Sequence, residues 1–160
     1  MDPGEHQREA ARLVRAQRWL ALATVDQRGM PSVSYVPFAP VDGAFGIVVS
    51  RLSAHTRNLL ARRPASVLVV DPDGDRGDAY ARARFSIDVN ASPNEAGSAR
   101  AEAIWSALES RHGETVRTLR VLPDFEAVSL EPGRGRLILG FASAHDVRAD
   151  AVVDLLRSLS

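Results

Sequence analysis

The sequence contains no cysteine and no lysine, and its 20 basic residues, all arginine, are balanced by 20 acidic ones. Without a thiol, disulfide frameworks, thiolate metal sites, iron–sulfur clusters and cysteine nucleophiles are excluded. Without a lysine amine, a Schiff base is excluded, and with it the usual covalent pyridoxal phosphate chemistry. Any phosphate must be gripped by guanidinium forks, hydroxyls and backbone amides. A GC-rich coding bias is the simpler account of the arginine preference. Zero formal net charge leaves no global field to draw the chain to nucleic acid or to an anionic membrane, so neither is expected as a partner.

Long apolar runs are missing as well. Those at 45–49 and 67–70 are far too short to span a bilayer, and residues 1–5 have neither the charged nor the apolar region of a signal peptide. A cytoplasmic location is therefore expected. His6, His55, His112 and His145 are scattered, with no two-histidine helix motif and no dense carboxylate cluster, so no metal site is predicted. A Gly-x-Ser-x-Gly elbow, a P-loop and a dinucleotide fingerprint are all absent. The acidic stretch 71–78 lacks the glutamate that closes a calcium loop and reads as a solvated turn. Difficult chemistry then falls to a bound organic cofactor, and no catalytic side chain is assigned.

The length predicts one domain over 1–160. Periodicity predicts an amphipathic helix over 5–18, with Ala10, Leu13, Val14 and Gln17 on one side. Strand-like runs follow at 19–25, 31–38 and 45–50, separated by turns at 26–29 and at Asp42-Gly43. Ser53 can cap a helix to residue 63, closed by Pro64, before a strand at 66–71. Ala83, Phe85, Ile87 and Val89 alternate with Arg84, Ser86, Asp88 and Asn90, the pattern of a half-buried strand. Helices are predicted at 94–111, 114–120 and 146–159. Strands at 125–130 and 136–141 are joined through Pro132-Gly133-Arg134-Gly135. This order is antiparallel in character, and a six-stranded sheet with flanking helices closes most simply as a β-barrel.

The most informative segment is Ser50-Arg51-Leu52-Ser53-Ala54-His55-Thr56-Arg57-Asn58-Leu59, a strand end running into a helix. Unpaired N–H groups and partial positive charge at the helix start suit a phosphate, with Ser50, Ser53, Thr56, Arg51, Arg57 and a protonated His55 as further donors. An ordinary capped surface helix with Arg57 in an ion pair has the same spacing. Trp19 and Trp105 sit at apolar helix or strand spacing and are assigned to core packing. His112 and His145 are assigned to solvent-facing helix ends rather than to haem ligation.

Leu22-Ala23-Thr24-Val25-Asp26 with Gly29, Pro31, Ser34 and Pro37-Phe38, followed by His55-Thr56-Arg57-Asn58-Leu59 with Pro64 and Ser66, carries a resemblance. Together these segments resemble the pyridoxamine phosphate oxidase-like flavoprotein family, and within it the haem-utilisation branch. Arg82-Ala83-Arg84-Phe85-Ser86-Ile87 is similar to that family's middle strand, and Asp124-Phe125 with Leu130-Glu131-Pro132 and Gly140-Phe141-Ala142-Ser143-Ala144 to its closing hairpin. The resemblance implies a six-stranded antiparallel split barrel, the FMN-binding split barrel, working as a homodimer with two FMN sites in the grooves between subunits. It places the isoalloxazine edge along Val33, Ser34, Tyr35 and Val36, with Ser50 near the ribityl chain. The phosphate meets His55, Thr56 and Arg57, and Arg84 reaches the cofactor from a neighbouring segment or subunit. Tyr35 can equally be a barrel-wall aromatic and Arg84 an exposed strand charge.

Departures from the family pattern fall at Ala142 and Ser143, where a glycine and an arginine are usual, and at Val89, where a glycine is common. The sequence also ends at Ser160, whereas haem-degrading members continue into a second domain. The leading functional expectation is an FMN-dependent oxidoreductase, its flavin held non-covalently and serving a small-molecule substrate or electron donor. A haem-binding or haem-degrading protein on the same fold, and a non-catalytic flavin-binding module, are the alternatives.

Overall fold

The computed structural model describes residues 3–73 and 78–160, so positions 74–77 of the acidic stretch lie outside the described residues. Helix α1 (Pro3–Ala16) leads into β1 (Trp19–Val25), β2 (Pro31–Pro37), β3 (Ala39–Val41) and β4 (Ala44–Ser50). Helix α2 (Ala54–Ala61), β5 (Pro64–Val70) and β6 (Arg84–Pro93) follow, then helices α3 (Ala99–His112) and α4 (Glu114–Arg120). The chain closes with β7 (Phe125–Gly140), β8 (Ser143–Val147) and α5 (Ala149–Arg157). All pairings are antiparallel, in the order β2-β1-β5-β6-β7-β4-β3, with β8 added to β7. The fold is a split barrel, with two short strands, β3 and β8, beyond the six expected.

The barrel depends on β7. Of its 16 residues, the stretch from Val128 to Ile138 pairs along β6, while its first part also pairs with β4 and its last part with β8. The sequence reading broke this strand at Pro132-Gly133-Arg134-Gly135, and the structure corrects it: the segment is a bulge within one strand. Ile87 faces Gly135 and Val89 faces Pro132, so two residues of β7 oppose the single Asp88. Gly135 is needed for close approach rather than for a turn, since a Cβ there would lie 2.5 Å from the Phe85 ring. By contrast, Asp42 and Gly43 do form the expected hairpin turn, both at positive φ (50° and 79°). Helix α3 begins at Ala99, five residues later than predicted, because Ser98 accepts a hydrogen bond from the Ala101 N–H and caps it there.

Alternation sends the two faces of the sheet into different cores. Leu20, Leu22, Phe45, Ile47, Phe85, Ile87 and Leu137 point into the barrel, sealed by Leu13 and Val14 of α1 and by Val152, Leu155 and Leu156 of α5. Each such side chain contributes about 1.5–3 kcal/mol of burial. On the other side of β3 and β4, Val41, Ala101, Ile104, Trp105, Leu108 and Val116 hold α3 and α4 against the sheet. Arg111 ties α3 to α1, donating through Nη2 to the carbonyls of Val14, Arg15 and Gln17 at 2.7, 3.2 and 2.5 Å. These carbonyls belong to the end of α1, where the helix itself supplies no partner.

Candidate functional site

Three strands, β2, β4 and the start of β7, and three helices meet at one apolar cavity. Its volume is about 230 Å³, and its walls include Tyr35, Val36 and Pro37 of β2, Val48, Val49 and Ser50 of β4, and Ser53 and His55 at the start of α2. Leu108 and His112 of α3, with Val116 and Leu119 of α4, close it from the other side. The β4–α2 turn is rigid for identifiable reasons. Ser50 Oγ donates to Asp124 Oδ2 at 2.5 Å and accepts from the Leu52 N–H at 3.1 Å. Thr56 Oγ1 donates back to the Ser50 carbonyl at 2.5 Å. Behind the helix, buried Asn58 donates to buried Thr24 Oγ1 at 3.0 Å, fixing α2 on β1.

Two imidazoles line the cavity, and burial pushes the pKa of each below its ordinary value. His55 Nδ1 lies 3.0 Å from Ser34 Oγ. His112 Nε2 lies 2.9 Å from the Phe38 carbonyl, which only accepts, so Nε2 carries the proton and Nδ1 keeps its lone pair. Arg18 and Arg111 depress His112 further. Both rings are therefore neutral near pH 7 and present electron pairs rather than charge.

The structure separates the predicted phosphate grip. Consecutive helix positions point about 100° apart, and His55, Thr56 and Arg57 duly go three ways. His55 faces the apolar cavity. Thr56 is 1% exposed with its hydroxyl spent on Ser50, so its side chain is withdrawn from any grip. Arg57 lies on the opposite flank of α2, bonded to the Leu52 carbonyl at 3.1 Å, where it lines a polar cleft with Asp26, Gln27, Arg28, Ser32, Ala54 and Asn58. Along β2, Val33 and Tyr35 are 76% and 66% exposed, whereas Ser34 holds His55 and Val36 is buried. Arg84 pairs with Val70 at the far end of β6 from α2, and its Nη1 donates to the Arg82 carbonyl. Within one protomer it does not approach the cavity.

Three further assignments are corrected. Trp19 is 42% exposed and meets Tyr35 edge-on at 5.4 Å, so it belongs to the surface of β1 rather than to the core. Trp105 is in the core as expected. His112 is half-buried in the cavity wall, not at a solvent-facing end, and its signal was present in the sequence: it continues the α3 stripe Ala101, Trp105 and Leu108 at helical spacing. His145 stacks on His6 at 3.7 Å, between β8 and α1. Asp124, which anchors Ser50, belongs to a segment matched to the family's closing hairpin, but nothing in the sequence pointed to that contact.

The sheet order, the β4–α2 turn and the cavity between them are features of a known fold family. Residues 7–139 match the family model for pyridoxamine 5'-phosphate oxidase. The chain belongs to that family. It is 31% identical over 140 residues to the heme oxygenase HutZ of Vibrio cholerae serotype O1, an alignment covering 88% of this chain and 80% of HutZ. A crystal structure of HutZ, described as the heme storage protein of Vibrio cholerae, superimposes with a TM-score of 0.76 at 29% identity, over 83% of this chain and 93% of that one. ChuZ of Campylobacter jejuni gives a TM-score of 0.84 at 27% identity, over 92% of this chain and 61% of the longer ChuZ chain. The resemblance to the haem-utilisation branch thus holds at the level of relatives. No described helix is long and apolar enough to cross a membrane.

Proposed function

We propose that this protein binds haem in a groove completed between two copies of the chain. The observation that carries the reading is an apolar cavity edged by two neutral imidazoles. An apolar macrocycle with a nitrogen-seeking metal matches that lining better than a charged phosphate does. Likeness to HutZ supports it. The cavity of one protomer is too small to enclose a macrocycle, which is why a second copy is part of the proposal, with Arg84 as a residue one copy could offer the other. A bound haem would supply the redox chemistry of its iron. The chain's own residues orient the ring, exclude water and offer electron pairs.

A flavin oxidoreductase is the second reading. The cleft holding Arg28 and Arg57 beside the start of α2 favours it, since two guanidinium groups and free helix N–H donors suit the phosphate of FMN. Parallel titrations with ferric haem and with FMN decide between them. A saturable Soret band with unquenched FMN fluorescence supports the haem reading. Saturable quenching of FMN with no Soret change overturns it in favour of the flavin.

A further inference from the structure

Away from the cavity at α2, two imidazoles stack where the first helix meets the last strand. The rings of His6 in α1 and His145 in β8 lie 3.7 Å apart between centroids, 27° from parallel. Beside them α1, β8 and α5 enclose a second cavity of about 270 Å³, with Ala10, Val147, Ala151 and Leu155 as its apolar floor. We infer that the His6–His145 stack is an acid-released latch that fastens the start of α1 over this second cavity.

Helix α1 is unevenly attached. From Ala10 onward it is fixed, since Ala10, Leu13 and Val14 are buried and Arg12 bonds Asp71 at 2.7 Å. Before that, Glu5, Gln7 and Arg8 are exposed, and His6 is the side chain that meets the sheet. Neutral rings stack favourably, whereas two imidazolium rings at this separation repel each other. An imidazolium also has to donate from both nitrogens, and His6 Nε2 is buried without a partner, while His145 Nε2 has Ser143 Oγ at 2.9 Å. The surrounding acids are already engaged. On β8, Asp146 is held by Arg136 at 2.8 Å, and on α5, Asp150 is held by Arg148 at 2.8 Å. On α1, Glu9 bonds Arg12 at 3.0 Å, and Glu5, beside His6 in the chain, is engaged as well. Arg148, at the same cavity, adds a further positive charge. Burial, then His6, then the amino terminus hold the His145 pKa below its ordinary value of 6.5. The released form therefore takes up a proton more readily than the stacked one, so the latch is closed above about pH 6.5 and opens progressively as pH falls below it.

Amide hydrogen exchange at residues 7–10, whose N–H groups bond to the carbonyls of the first turn, reads the latch once rates are corrected for the intrinsic pH dependence of exchange. In the wild type, protection at these amides should fall at least about tenfold between about pH 8 and pH 5, with β5 to β7 protected throughout. His145→Phe keeps a flat ring in the stack but cannot take a proton, so protection should persist at the lower pH. His145→Ala removes the contact, so protection should be low at both ends of the range. Protected sheet amides show that each variant is folded. A wild type whose protection does not change with pH overturns the latch, as does a fall in His145→Phe as large as that of the wild type. Equal protection of His145→Ala and the wild type at the higher pH means that the stack fastens nothing, and overturns it too.

Discussion

At the scale of single residues, the site is held by polar groups that the protein can satisfy in only one way. Thr24 and Asn58 are both buried and have each other as side-chain partners. Thr24→Val keeps the shape but removes the acceptor, so the Asn58 amide is left unpaired. That should cost about 1–3 kcal/mol in urea unfolding. Thr24→Val should also weaken ligand binding, since α2 carries His55. His112 gives a pH dependence with a definite sign. Its folded pKa is depressed from 6.5 by burial, with Arg18 and Arg111 adding to the effect. As pH falls below 6.5, the unfolded chain takes up a proton before the folded one, so stability declines until the folded pKa is passed and is level thereafter. His55 contributes in the same direction. Denaturation midpoints between pH 7.5 and about 5 should therefore fall in the wild type and fall less in His112→Gln. An unchanged slope in the variant would show that His112 is not the source.

At the scale of elements, the informative contacts are those that attach helices to the barrel. Helix α1 ends on Arg111, whose guanidinium takes three carbonyls, lies over the Phe38 ring at 4.9 Å and has a buried Nε without a partner. Arg12 and Asp71 make a second attachment at 2.7 Å, and Arg12 holds the Asp71 carboxyl below the usual range. Arg111→Met keeps much of the apolar stem but strands the carbonyls. A loss of about 1.5–3 kcal/mol is expected, the range for hydrogen bonds to a charged group. Its location is the sharper test. Amide hydrogen exchange should accelerate in the last turn of α1 and leave β5 to β7 protected, because the sheet ladders do not pass through Arg111. Uniform acceleration across the sheet would mean that α1 and the barrel unfold as one unit.

At the scale of the molecule, local patterning read the elements better than it read their joins. Helix α1, β1, α4 and the Asp42-Gly43 hairpin were visible as periodicity or turn chemistry, because each is determined by its own residues. The continuity of β7 was not, because Pro132 and Gly135 carry turn signals locally and are accepted only where β6 and Phe85 shape the bulge. The site divides in the same way: the β4–α2 segment stood out, whereas the opposite directions taken by His55 and Arg57 follow from helix geometry, and Asp124 enters from the turn before β7, far away in sequence. Val33, Tyr35 and Trp19 lie on one face of β2 and its neighbour β1, at the edge of the sheet, and all three are exposed. An aromatic and aliphatic strip on an edge strand is the kind of surface a second chain is suited to cover, as the proposed groove between two copies requires. If two copies meet there, a charge in the strip must be buried without a partner, which is strongly unfavourable. Val33→Asp with Tyr35→Arg in separate variants should each shift a dimer toward monomer by light scattering at micromolar concentration, with far-UV circular dichroism unchanged because neither residue is in the core. Ligand affinity should fall in step with the dimer fraction, since the groove is then open. Variants that remain dimeric would place the contact on another face, and a wild type that is monomeric throughout would remove the second copy from the site.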